Sequence, residues 1–194
     1  MGALYSNRGE KMKSGFKELV ARAKMGDSGA FAELYSTIYK ELYHYALCNL
    51  NNADDAADAV SDAVLDAFMG IKSLKNEEAF KGWMIRILTA KIKRKQAEYI
   101  QNREYISSMS ADSLYDDDEK QMDIPETESK YEGIELLEHI ETLSENEKLC
   151  FSLNAICGYT SDEISKITNI NAATVRTYLA RGKQKLRKLI DENV

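Results

Sequence analysis

Proline occurs once in these 194 residues, so almost nothing in the chain forces a helix to break. Alternating runs of Val, Ile or Thr with polar residues are scarce as well, and strands have almost no support. Cysteine occurs three times, as Cys48, Cys150 and Cys157, with no CxxC pair. Histidine occurs twice, as His44 and His139, far from any ligand spacing. Neither a disulfide nor a metal site is expected, and the cysteines read as small buried hydrophobes. There is no run of about eighteen apolar residues and no basic start followed by an apolar stretch, so no membrane span or signal peptide is indicated and the expected location is the cytoplasm. A glycine-rich phosphate loop, a nucleophile with a histidine partner and a metal-ligand cluster are all missing. An enzyme is therefore not expected, nor a cofactor or small-molecule substrate.

What remains favours helix. Ala, Leu, Lys and Glu are abundant, and a hydrophobic content of 44% is enough for ordinary globular cores. The expected fold class is all-α: two small helical domains joined by a flexible acidic linker. Residues 1–13 form a polar start, with either Met1 or Met12 serving as initiator. Residues 14–104 form the first domain, 105–133 the linker, and 134–194 a second domain holding a helix-turn-helix. The linker carries Asp112, Asp116, Asp117, Asp118, Glu119, Asp123, Glu126 and Glu128 around Pro125 without a sustained apolar period. It reads either as a solvated spacer or as a mimic of nucleic-acid charge inside a partner's channel.

The net charge of -6 would speak against nucleic-acid binding, but the charge is segregated. Between Ala79 and Ala97 the bases Lys81, Arg86, Lys91, Lys93, Arg94 and Lys95 meet no acid in sequence. Between Ile164 and Ile190 the same holds for Lys166, Arg176, Arg181, Lys183, Lys185, Arg187 and Lys188. In the first half, Phe31, Leu34, Tyr35, Ile38, Leu42, Tyr45, Ala46 and Leu50 mark one helix face. The following helix, over about 54–71, repeats Asp54, Asp58, Asp62 and Asp66 every fourth residue, opposite Ala57, Val60, Val64 and Phe68. Like charges at that spacing repel by a few tenths of a kcal/mol. The ridge is either a solvated face or a docking surface for a cationic partner. A loop over 73–78 then opens a basic helix, running to about Gln101, with Phe80, Trp83, Met84, Ile87 and Leu88 inward. Trp83 falls in register with that core rather than forming a stacking platform.

In the second half, Ser144 with Glu147 and Thr160 with Glu163 are successive capping boxes, and Asn169-Ile170-Asn171 is a tight turn. The last helix places Val175, Leu179, Gly182, Leu186 and Leu189 inward and Arg176, Thr177, Ala180, Arg181, Gln184 and Arg187 outward. This is a helix-turn-helix whose N-terminal half suits a major groove. Lys183, Lys185 and Lys188 suit phosphate contacts.

The stretch from Asp55 to Phe68, followed by Phe80-Lys81-Gly82-Trp83-Met84-Ile85-Arg86-Ile87, resembles region two of extracytoplasmic-function sigma factors, which reads DAEDLVQEVFLRAF and then FKTWLYRI. Ala57, Ser61 and Ala90 depart from the family's usual Glu, Gln and Asn. Leu143 to Leu186 resembles region four. The resemblance implies that Asp55, Asp58 and Asp62 dock on the clamp helices of the largest subunit of core RNA polymerase. It implies that Lys81, Arg86, Lys91, Lys93 and Arg94 engage the minus-ten element of promoter DNA, and that Arg176, Thr177, Arg181 and Lys183 engage the minus-thirty-five element. It further implies an anti-sigma partner. A stand-alone repressor or activator could share the helix-turn-helix, but it would need strands or a ligand pocket in the first half, which reads as helical.

Overall fold

The computed structural model describes residues 15–109 and 140–192. Among these residues every regular element is helical. The expected polar start and all of the expected linker beyond Met109 lie outside them. Helix α1, over 15–24, stops at Gly26, whose φ of +98° suits glycine. Asp27 then caps α2 (Ser28–Leu50), its side chain accepting the Ala30 N–H at 3.0 Å. Asn51, left-handed at φ +53°, closes α2 by returning its N–H to the Leu47 carbonyl, and Asn52 caps α3 (Ala53–Gly70) at once.

Two one-turn 3-10 segments lead into α4 (Phe80–Met109), which runs past its expected end near Gln101. The polar composition after Gln101 signals a linker, but no glycine or proline lies between Gln101 and Met109 to stop the helix. After the gap come α5 (Glu145–Ala155), α6 (Ser161–Thr168) and α7 (Ala172–Glu192). Both expected capping boxes form: Glu147 accepts the Ser144 N–H at 3.0 Å and Glu163 accepts the Thr160 N–H at 2.9 Å. The turn between α6 and α7 is built on Asn169, left-handed at φ +61°, and on Asn171, which accepts the Ala173 N–H at 2.8 Å.

The first core is centred on Leu34, Leu42 and Tyr45 of α2 and on Phe80, Met84, Ile85, Leu88 and Ile92 of α4. Tyr45 completes a buried hydrogen bond with the Thr89 hydroxyl at 2.9 Å. On α3 the buried face differs from the expected stripe. Ala56, Ala59, Val60, Ala63 and Ala67 point inward, whereas Ala57 is exposed and Phe68 is 47% exposed. Alanines let α3 lie close against α2 and α4, and that closeness outweighs the larger transfer energy of the Phe68 ring.

The core continues into the second half of the chain. Leu149, Cys150, Leu153 and Cys157 with Ile164, Ile167, Val175 and Leu179 belong to the same continuous apolar cluster as α2 and α4. Cys48 of α2 packs separately among Ile140, Leu143 and Leu186. The Asn49 amide donates to the Ser152 hydroxyl at 2.9 Å across this contact. The two modules expected as separate domains therefore lie packed together.

Candidate nucleic-acid interface

The α3 acids and the α4 bases expected to serve two different partners sit side by side on adjacent helices. Lys91 reaches Asp66 at 2.6 Å and Arg94 reaches Asp62 at 3.2 Å. Lys95 lies 2.7 Å from Asp55 and 3.6 Å from Asp58. Tyr99 also donates to Asp55. The hydrogen bond to Asp55, more than the opposing burial, holds the Lys95 ammonium above its ordinary value. Burial, reinforced by Asp55, raises the Tyr99 phenol. The basic run that meets no acid in sequence thus meets a row of them in space.

The remaining α4 bases reach elsewhere. Lys81 pairs with Glu41 at 2.8 Å. Arg86 donates to the Lys166 carbonyl at 3.1 Å and Lys93 to the Thr168 carbonyl at 3.3 Å. Both cations thereby occupy the negative end of α6, where terminal carbonyls lack helical partners.

On α7 the inner face is as expected, with Val175, Leu179, Gly182 and Leu186 buried. Arg176, Thr177, Arg181 and Lys183 are exposed along its outer side. Arg176 comes within 3.7 Å of Asp162, but both side chains are more than half exposed, so the pair holds it weakly. The Thr177 hydroxyl donates to the Ala173 carbonyl of its own helix at 3.1 Å, which leaves its oxygen able to accept. Lys185 differs from its expected role at phosphate, because it bonds the buried Glu147 carboxylate at 2.6 Å. Burial pushes Glu147 up, yet Lys185 and the Ser144 N–H outweigh it and hold the carboxyl below the usual carboxylate range.

A cleft of about 610 Å³ opens between the N-terminal end of α4 and α6, lined by Trp83, Lys75, Arg86, Tyr159, Glu163 and Lys166 among others. Its two walls, residues 74–86 and 159–167, lie more than seventy positions apart, so only tertiary contact creates it. No group of His, Cys, Asp or Glu that could hold a metal ion occurs among the described residues. None of their helices is long and apolar enough to cross a membrane.

Comparison with known proteins places this geometry among relatives. Residues 30–98 match the family description "Sigma-70 region 2" and residues 134–186 match "Sigma-70, region 4". The ECF RNA polymerase sigma factor SigW of Bacillus subtilis is 26% identical, the match covering 91% of this chain and 97% of that one. The ECF RNA polymerase sigma-E factor of Haemophilus influenzae is 27% identical, with 89% and 93% covered. Among solved structures, CnrH in complex with the cytosolic domain of CnrY superposes with a TM-score of 0.67 at 18% identity, covering 93% of this chain and 99% of that one. The sigma factor RpoE in complex with the anti-sigma factor NepR from Bartonella quintana superposes with a TM-score of 0.64 at 16% identity, covering 83% and 96%.

Proposed function

Since this chain belongs to the extracytoplasmic-function group of the sigma-70 family, we propose that it performs promoter recognition for RNA polymerase through three surfaces of its own residues. Asp55, Asp58 and Asp62 dock on the clamp helices of core polymerase. Lys81, Arg86, Lys91, Lys93 and Arg94 face the minus-ten element. Arg176, Thr177, Arg181 and Lys183 enter the major groove at the minus-thirty-five element, where arginine can make bidentate contact with guanine. The domain limits proposed from the sequence, 14–104 and 134–194, bracket these surfaces. The chain acts in the cytoplasm as a binding adaptor and catalyses nothing itself, and an anti-sigma factor, such as RpoE carries in its structure, is its expected regulator.

One observation supports this reading above the others. The two sigma-70 matches fall in order along one chain, and the second contains a helix-turn-helix whose arginines are exposed. Neither surface is strongly cationic and the whole chain is acidic, so free protein should hold duplex DNA weakly and gain affinity once polymerase fixes both modules. The test is co-purification with core polymerase beside an Asp58→Lys/Asp62→Lys variant, followed by run-off transcription. Stoichiometric binding that the variant loses, with new start sites from the wild type, is the expected result. No binding to core, together with tight binding of the free chain to duplex operator DNA, overturns the proposal and leaves a stand-alone regulator.

A further inference from the structure

We infer that the cleft between α4 and α6 is a binding site for a nucleoside polyphosphate, with Trp83 and Asn76 at the base and Lys75, Arg86 and Lys166 at the phosphates. The site includes Arg86 but does not rest on its minus-ten reading. It needs only the packed arrangement of the free chain, in which the two walls face each other.

Size, wall chemistry and charge carry the inference. The cleft holds about 610 Å³, inside the range of roughly 300–1,000 Å³ typical of small-molecule sites. Its aromatic wall is the half-buried Trp83. The indole lies so close to Gly70 of α3 that a Cβ there would meet it at 3.4 Å, and its ring centre is 6.2 Å from that of Phe80. An aromatic ring fixed in this way at the edge of a cleft suits stacking by a nucleobase. On the same wall, Asn76 commits its amide oxygen to the Glu78 N–H at 3.0 Å, which leaves its amide nitrogen free to donate to an acceptor on the base.

The cations come from both walls. Lys75 and Lys166 are exposed, and among the described residues neither has a carboxylate partner. Arg86, also exposed, gives one N–H to the Lys166 carbonyl at 3.1 Å, which positions the guanidinium and leaves its other donors for a ligand. That bond and the one from Lys93 to the Thr168 carbonyl at 3.3 Å also cover carbonyls at the negative end of α6, which would otherwise repel a phosphate. The acids in the lining are engaged elsewhere. Glu78 pairs with Lys17 at 2.6 Å, and Glu163 accepts the Thr160 N–H at 2.9 Å and the Thr160 hydroxyl at 2.7 Å. Three cations without carboxylate partners match the several charges of a polyphosphate better than the single charge of a carboxylate.

Trp83 is the only tryptophan in the chain, so its fluorescence reports directly on the cleft. The experiment titrates the free full chain with N-methylanthraniloyl-ATP and follows energy transfer from Trp83, with unlabelled ATP, adenosine and tripolyphosphate as competitors. Saturable transfer that ATP reverses is the expected result, with adenosine and tripolyphosphate each needing a concentration about tenfold higher or more. Lys75→Glu and Lys166→Glu, one from each wall, should each weaken binding by about tenfold or more. Lys40→Glu, at an exposed cation of α2 outside the cleft, should leave binding unchanged. Far-UV circular dichroism checks each variant's helix content, and Lys166→Ala serves if Lys166→Glu fails to fold. Absence of saturable transfer overturns the site. Displacement by tripolyphosphate as effective as by ATP overturns the nucleotide class and leaves general attraction of polyanions. Full affinity in the folded Lys166 variant overturns the two-walled cleft and puts the probe on the α4 wall alone.

Discussion

Glu147 does two jobs at once: its carboxylate closes the capping box of α5 through Ser144 and holds Lys185 of α7. A carboxyl lowered in the folded state stabilises fully above its unfolded value, about 4.3, and that contribution is lost as pH falls through the lower folded value. Glu147→Gln keeps an acceptor for the Ser144 N–H but drops the charge. Thermal melts should therefore show the variant below the wild type by a few degrees at neutral pH, with the gap closing as pH falls below about 4. The α3–α4 ion pairs behave differently. Asp62 and Arg94 are each about half exposed, so breaking that pair should cost well under about 1 kcal/mol. Asp58 faces the half-buried Lys95 as well, so loss of polymerase binding in the Asp58→Lys/Asp62→Lys variant reflects the surface rather than the fold where its thermal melt stays within a few degrees of the wild type.

At the scale of the element, α7 separates two kinds of cation that its sequence presents as one run. Arg176 and Arg181 project into solvent beyond the tight turn, whereas Lys185, on the same helix, is bound to α5. Arg176→Ala and Arg181→Ala should each weaken holoenzyme binding at the minus-thirty-five element by about 5- to 150-fold, with relaxed base preference at one position. Lys183→Ala should weaken binding on all sequences alike and lower the salt slope by about one. Gel-shift titrations at two salt concentrations distinguish these outcomes. The α6–α7 turn depends on Asn169, whose left-handed backbone asparagine tolerates and a β-branched residue does not.

For the molecule as a whole, the shared core predicts one cooperative unfolding event. Because α2 and α4 bury apolar side chains of both modules, calorimetry of the free chain should show a single transition, and Ser152→Asp should split it in two. Most of the helices, both capping boxes, the tight turn and the buried face of α7 were legible in the sequence, because each is set by contacts within a few residues: a side chain to the next turn's N–H, or an apolar stripe at helical period. The α3 face departs from its expected stripe because periodicity does not show that alanines pack closer than phenylalanine. The extra length of α4 has no sequence signal because its polar composition mimics a linker. The pairing of the acidic row with the basic run, the tie between Lys185 and Glu147, the cleft beside Trp83 and the docking of one module on the other belonged to tertiary structure alone. They join residues tens of positions apart, and no local pattern reports which charged helix faces which. The sequence determined what each helix carries and in what order the two family regions stand. Folding in three dimensions decided which of those charges remain available to a partner, since an ion pair depends on distance in space and not on separation along the chain.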